Sequence, residues 1–164
     1  MNKIIKFNID TLKKVLDLIS PLEEVWAIKN KDTNSDTIGR HIRHIIDFYL
    51  CFINGIDKGV IDYDSRLRNI KVEQNILYAQ KEIEYIINYM HCYDKNINSI
   101  DTKINYSISN QKLQSSSNRE LMYLADHAIH HGHIVQIILN NQFPSLKSKI
   151  KFYSPSTLDA ITCV

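Results

Sequence analysis

Four histidines crowd into seven positions of this chain: His127, His130, His131 and His133. They lie in Asp126-His-Ala-Ile-His-His-Gly-His-Ile-Val, an apolar stretch of helical period. His127 and His131 are spaced i, i+4, which on an α-helix stacks two side chains on one face, one turn apart. Two imidazoles so placed can grip a single metal ion, because neutral ring nitrogens are good ligands for divalent transition metals. A further pair, His41 and His44, lies upstream in another helical pattern. One histidine on an apolar face is ordinarily a core residue satisfied by a carbonyl or a carboxylate. Two of them one turn apart, with a second helical pair elsewhere, point instead to a metal site.

A helical wheel says which of these face inward. At about 100° per residue, Leu124, His131, Val135 and Ile138 fall within roughly 80° of His127. That is the expected core face, so His127 and His131 are the inward pair. His130 and His133 fall away from it as partly exposed residues. On the upstream helix the apolar stripe centres on Ile45, Tyr49, Phe52 and Ile56. His41 lies somewhat closer to that centre than His44, which shares its side with Phe48 and Cys51. The wheel slightly favours His41, and the spacing His41-x-x-His44 lets both face one region.

Other candidate residues carry less. Asp47 and Asp126 are the carboxylates nearest in sequence that could orient metal-bound rings. Neither falls on the ligand face, so both read as solvated helix-surface charges. Arg66 and Arg68 offer guanidinium forks that match an anionic substrate, although loop arginines are usually only solvated. Cys51 falls on the histidine side of the upstream helix and is a conceivable nucleophile, although a buried, inert thiol is the commoner case. The chain contains no glycine-rich phosphate loop and no G-x-S-x-G nucleophile elbow.

The elements that must hold these residues are helical. Only four glycines and three prolines interrupt the chain, which favours long helices over many turns. The first helix is expected over residues 10–19. Ser20-Pro21-Leu22-Glu23 reads as a capping box opening a further helical piece with Val25, Trp26 and Ile28. A polar loop over 29–35 precedes a second long helix over 36–56, with Gly55 and Gly59 bracketing its end. Residues 61–68 form a polar connection, and a third helix covers 70–90. Residues 97–113 suggest a short hairpin or an extended crossover. Ser117-Asn118-Arg119-Glu120 reads as a second capping box, opening a fourth helix over 121–139 that Asn140, Asn141 and Pro144 stop. A short helix after Ser145 and irregular chain around Ser154-Pro155-Ser156 complete the expectation. The fold class is therefore all-α, a four-helix bundle with a long crossover between its third and fourth helices, in one domain over residues 1–164.

Bulk properties narrow the function. A formal net charge of +2 with interspersed charges argues against nucleic acid or an anionic membrane surface as partner. No apolar run approaches the ~20 residues that span a bilayer. The N-terminus lacks the apolar core and cleavage site of a signal peptide. Cys51, Cys92 and Cys163 fit no disulfide or zinc-ribbon spacing and suggest a reducing, cytoplasmic setting.

Two stretches resemble a known family. Thr37-Ile38-Gly39-Arg40-His41-Ile42-Arg43-His44-Ile45 resembles the start of the second helix in DinB-like, damage-inducible metalloproteins. Their pattern places a ligand histidine seven positions after a small hydroxyl residue and before an apolar one. Counted from Thr37, it lands on His44. Arg119-Glu120-Leu121 through His127-Ala-Ile-His-His131 resembles the family's last bundle helix, where two histidines four apart complete the triad. The resemblance implies a divalent metal on His44, His127 and His131, Zn²⁺ or Ni²⁺ first and Fe or Mn next, and frequently a homodimer. Characterised members include transferases and isomerases that use low-molecular-weight thiols. Tyr63-Asp-Ser-Arg-Leu-Arg68 and Ser154-Pro-Ser-Thr157 resemble one uncharacterised subset, which supplies no substrate.

Three imidazoles leave coordination positions open, the pattern of a catalytic rather than a structural zinc. Such an ion lowers the pKa of water to about 7 and deprotonates a bound thiol. The expectation is a metal-dependent enzyme, transferase or hydrolase in type, that activates a small thiol or water toward a small-molecule substrate. The alternative is a non-catalytic metal-binding or stress-related bundle protein. Bound to one ion at ~2.1 Å, the three ligand nitrogens would lie about 3–3.5 Å apart.

Overall fold

Asn2 opens the fold. In the computed structural model, which describes residues 2–29, 36–104, 106–154 and 157, its side chain accepts from the Ile4 N–H and caps helix α1 (Lys3–Ile19). The helix starts well before the expected residue 10 because its apolar stripe continues upstream through Ile9 and Ile5, both buried. Asp10 pairs with Lys6 one turn back. Ser20-Pro21-Leu22-Glu23 does not work as a capping box. Ser20 terminates α1, donating its N–H to Leu16 O, and only a short 3-10 turn, Glu23–Val25, follows. That turn buries Trp26, whose Nε1 donates to Val72 O at 3.3 Å.

Helix α2 (Ile38–Ile56) is capped by Thr37, whose hydroxyl accepts from the Arg40 N–H at 3.0 Å. The third helix expected over 70–90 is two: α3 (Ile70–Gln74) and α4 (Ile76–Cys92). Asn75 breaks it, with extended φ −135 and ψ 109, and its side chain accepts from the Tyr78 N–H at 2.9 Å. Asparagine competes with the helix ladder in this way, bonding the nearby backbone from a non-helical conformation. Helix α6 (Ser117–Gln142) is capped by Ser116, one residue before the position expected. Ser117 and Glu120 are buried and have other partners. Ser117 Oγ accepts from the Ile97 N–H at 3.0 Å, and Glu120 accepts from the Tyr63 hydroxyl at 2.8 Å and from Ser115 Oγ.

The all-α expectation is corrected by a three-stranded sheet of order β1-β2-β3. Strand β1 (Val60–Asp62) runs parallel to β2 (Ile100–Lys103), with Ile61 opposite Thr102. Strand β3 (Leu113–Ser115) runs antiparallel to β2, with Asp101 opposite Gln114. A single helical turn, α5 (Tyr106–Ser109), lies between β2 and β3, so the expected hairpin is present with a helical insert. The expected polar connection after α2 begins as β1. Three residues are too few for a period of two to stand out, and the partner that makes β1 a strand lies 41 positions away in the register of Val60 with Asp101.

Among the described residues, four long helices surround the core. α1 packs on α6 and α4, and α2 packs on α6, α4 and α3. One buried cluster joins them, and Phe152 of the C-terminal stretch belongs to it. The expected short helix after Ser145 is a 3-10 turn, Pro144–Leu146. Pro155 and Ser156 lie outside the described residues, as does Cys163. α1 and α2 are also tied by polar contacts: the buried Tyr49 hydroxyl donates to Asn8 Oδ1 at 2.7 Å. No helix among the described residues is long and apolar enough to cross a membrane.

Gly39 sets how closely α2 meets α3. A Cβ there would lie 2.2 Å from Glu73 O and 2.7 Å from Trp26 Nε1. Alanine gains about 1 kcal/mol of helix propensity over glycine. A backbone oxygen, however, can yield only if α3 moves as a unit. Gly39→Ala is therefore expected to lower stability by about 1–3 kcal/mol despite the better propensity, read as a lower urea midpoint. A midpoint at or above that of wild type would mean that α3 slides away at no cost.

Candidate metal centre

The contact between α2 and α6 carries the site. His41 and His44 come from the first two turns of α2, and His127 and His131 from the middle of α6. His44, His127 and His131 each offer a ligand atom, and these atoms all lie within 4.8 Å of one another. Their ring centroids form a nearly equilateral triangle: 4.8 Å from His44 to His127, 4.7 Å from His44 to His131 and 4.7 Å from His127 to His131. All three are half-buried.

His41 stands outside this trio and meets one member of it. Its Nδ1 is hydrogen-bonded to His131 Nδ1 at 3.2 Å, with the ring centroids 5.4 Å apart. Both upstream histidines therefore turn toward α6, as their i, i+3 spacing allows. His44 faces the pair, and His41 backs one ring of it. His130 and His133 are exposed, His130 standing edge-on to His131 at 5.3 Å.

Two features of the site were not read from the sequence. Phe48, one turn after His44, lies parallel to the His127 ring at 4.2 Å and 15°, and edge-on to His44 at 4.7 Å. Tyr63 also stacks on Phe48, at 5.1 Å and 19°. Its hydroxyl ends on buried Glu120, so an aromatic row links the histidines to the start of α6. The i, i+4 spacing of His44 and Phe48 was the available signal. Gly132 is the second feature. A Cβ there would sit 2.6 Å from the Phe152 ring, so the glycine admits this aromatic against α6 beside His131.

Asp126 is exposed, as expected. Asp47 is not: it is buried, with Arg43 Nε at 3.6 Å from Oδ2. Burial raises its carboxyl, and Arg43 opposes that shift. The wheel could not show this because the shielding comes from across the helix contact, where Arg43 also pairs with Glu73 at 2.6 Å. Cys51 is half-buried and stands outside the histidine trio. Burial pushes its thiol up to about 11, which removes it as a nucleophile at neutral pH.

Electrostatics favours metal ligation. Burial pulls His44 and His131 from 6.5 down to about 3, and His127 to about 4. The neighbouring rings push the same way for all three, and Arg66 does so for His44 and His127. A neutral imidazole keeps a lone pair free, which a ligand requires. His127 Nε2 is buried and has no hydrogen-bond partner among the described residues. Leaving such a nitrogen unpaired costs roughly 1–3 kcal/mol, a cost that a divalent ion would remove. The residues present thus fit such an ion. A cleft of about 610 Å³ opens onto His41, His44 and His131.

No protein-family model, no curated protein and no solved structure matches the chain.

The depressed histidines fix a sign for the pH dependence of the metal-free protein. Unfolding returns each ring to about 6.5, so the unfolded chain takes up protons that the folded chain refuses. The stability tied to neutral His44, His127 and His131 is full above pH 6.5 and is lost as pH falls through that value toward about 3 to 4. Urea midpoints measured in metal-free buffer are expected to fall steadily between about pH 7 and about pH 5. A flat profile across that window would mean that the rings titrate as exposed groups.

Proposed function

We propose that this protein is a metal-dependent enzyme whose divalent ion is held by His44, His127 and His131. The observation that carries the reading is the convergence of three histidine ligand atoms within 4.8 Å of one another beside an open cleft, with His127 Nε2 buried and without a hydrogen-bond partner among the described residues. When bound, the ion would serve as a Lewis acid that makes a small thiol or a water nucleophilic at neutral pH. The reaction proposed is of transferase or hydrolase type, on a small-molecule substrate.

The chain's own residues do the positioning. Phe48 holds the plane of His127 by stacking, and His41 holds His131 by the Nδ1 contact. Because both α2 and α6 contribute ligands, the site forms only when these helices dock. The cleft supports the enzyme over a protein that only stores or senses metal, since a sealed trio would give a substrate no access.

The wider reading is a DinB-like four-helix bundle. Support comes from the Thr37-to-His44 and His127-to-His131 motifs and from the ring of long helices around one core. Zn²⁺ or Ni²⁺ is the ion proposed, since imidazole nitrogens suit both. A cytoplasmic setting is proposed from the scattered cysteines and the lack of a membrane-crossing helix among the described residues. A homodimer is proposed by resemblance alone.

Metal titration tests the ligand set. His127→Ala removes one arm of the chelate and is expected to weaken zinc binding more than about 100-fold, exceeding the effect of an outer-layer change. His133→Ala, at an exposed position, is expected to bind as wild type. Competition against a chromophoric chelator reads both, with circular dichroism confirming that each variant is folded. Equal affinities in all three proteins would reduce the cluster to ordinary helix composition.

A further inference from the structure

The cleft beside the histidines is ringed by guanidinium groups. Arg40, Arg43, Arg66 and Arg68 all line it. Two are neutralised in place: Arg40 pairs with Asp36 at 2.6 Å and Arg43 with Glu73 at 2.6 Å. Arg66 and Arg68 have no carboxylate within ion-pair distance among the described residues. Among the described lining residues two guanidinium groups therefore lack a paired carboxylate, although both act at longer range on the buried Asp47 carboxyl.

We propose that this cleft takes a small molecule carrying a carboxylate, gripped by Arg66 and Arg68, with its reacting end toward His44 and His131. The orientation rests on the metal reading given above; the anion grip does not.

Arg66 is held for such a role. Its Nη1 donates to Tyr63 O at 2.8 Å, and its guanidinium lies over the Phe48 ring at 5.5 Å. Phe48 in turn stacks on His127, so one aromatic plate fixes both the arginine and a candidate ligand. With one edge anchored, the remaining N–H groups of a planar fork are available to a carboxylate, and little entropy is left to lose. Arg68 sits in the left-handed region at φ 48, which an arginine adopts rarely. Such a conformation is strained and persists where the surroundings require it. Here it belongs to a residue at the edge of the cleft. Arg68 is exposed, and its side chain has no ion-pair or hydrogen-bond partner among the described residues.

The cleft's size suits a metabolite, since about 610 Å³ lies within the usual 300–1,000 Å³. Ile70, half-exposed on the wall, offers an apolar surface for the carbon skeleton. A carboxylate is favoured over a phosphate because the chain has no glycine-rich loop to present a cradle of N–H groups.

Calorimetric titration of the full-length chain with succinate, succinamide and inorganic phosphate decides this. Succinate is expected to bind, and succinamide, its uncharged isostere, is not. Arg68→Met is expected to weaken succinate at least about tenfold, the loss of roughly one charge-assisted contact. Arg68→Lys should recover part of that, and Lys13→Met, on the exposed face of α1, should change nothing. Arg68 is exposed, so Arg68→Met leaves the core untouched, and the result holds even if Arg66→Met fails to fold. Equal binding of succinate and succinamide, or wild-type affinity in Arg68→Met, would overturn the grip. Phosphate binding at least about tenfold tighter than succinate would overturn the carboxylate assignment. The same titrations on zinc-free protein separate the two readings. If zinc never binds, the metal proposal fails, while the contrast between succinate and succinamide still decides this one.

Discussion

Three imidazoles withdrawn from water between two helices must stay neutral, and their nitrogens must find partners. Burial supplies the first condition by penalising the charged form, and the rings' mutual proximity adds to it. The second condition is only partly met by the chain itself. His131 leans on His41, but among the described residues His41 Nε2 and His127 Nε2 have no hydrogen-bond partner. A buried polar atom left so is uncommon in folded proteins. The neighbouring packing reads as a means of holding the His127 nitrogen in place.

Phe48 is central to that packing. Its ring stacks on His127 and Tyr63, meets His44 edge-on, and lies under the Arg66 guanidinium. Through Tyr63 and Glu120 the row reaches the first turn of α6, and through Ser115 it reaches β3. The small sheet therefore does more than connect helices. It braces the end of the helix that carries two of the three histidines. Gly132 and Phe152 brace the same helix beside His131.

Sequence pattern made the local parts of this legible. His127 and His131 stand out because a one-turn spacing is a local property and needs no partner to interpret. The wheel slightly favoured His41 over His44, whereas His44 is the one that joins the trio, and the reason is physical. Both project toward α6, one into the trio and one behind it. Features that depend on distant chain were not legible. Strand β1 exists only by pairing with β2. Asp47 looked solvated and is buried. Glu120 looked like a helix cap and is instead the acceptor for Tyr63. Asn75 broke a helix whose apolar period ran straight through it, since side-chain capping does not register in hydrophobic periodicity. Arg66 and Arg68 were legible as candidate anion-binding forks, but that Asp36 and Glu73 pair with Arg40 and Arg43 and not with them shows only in the fold.

The central claim is that His44, His127 and His131 hold one divalent ion. Its most direct test is elemental analysis of protein purified without an affinity tag, followed by X-ray absorption at the edge of the metal found. The account predicts a single equivalent of one divalent transition metal per chain, with a first shell of imidazole nitrogen and no sulfur. Protein that carries no such metal and takes none up on titration would contradict it. So would a shell containing thiolate, because Cys51 stands outside the trio.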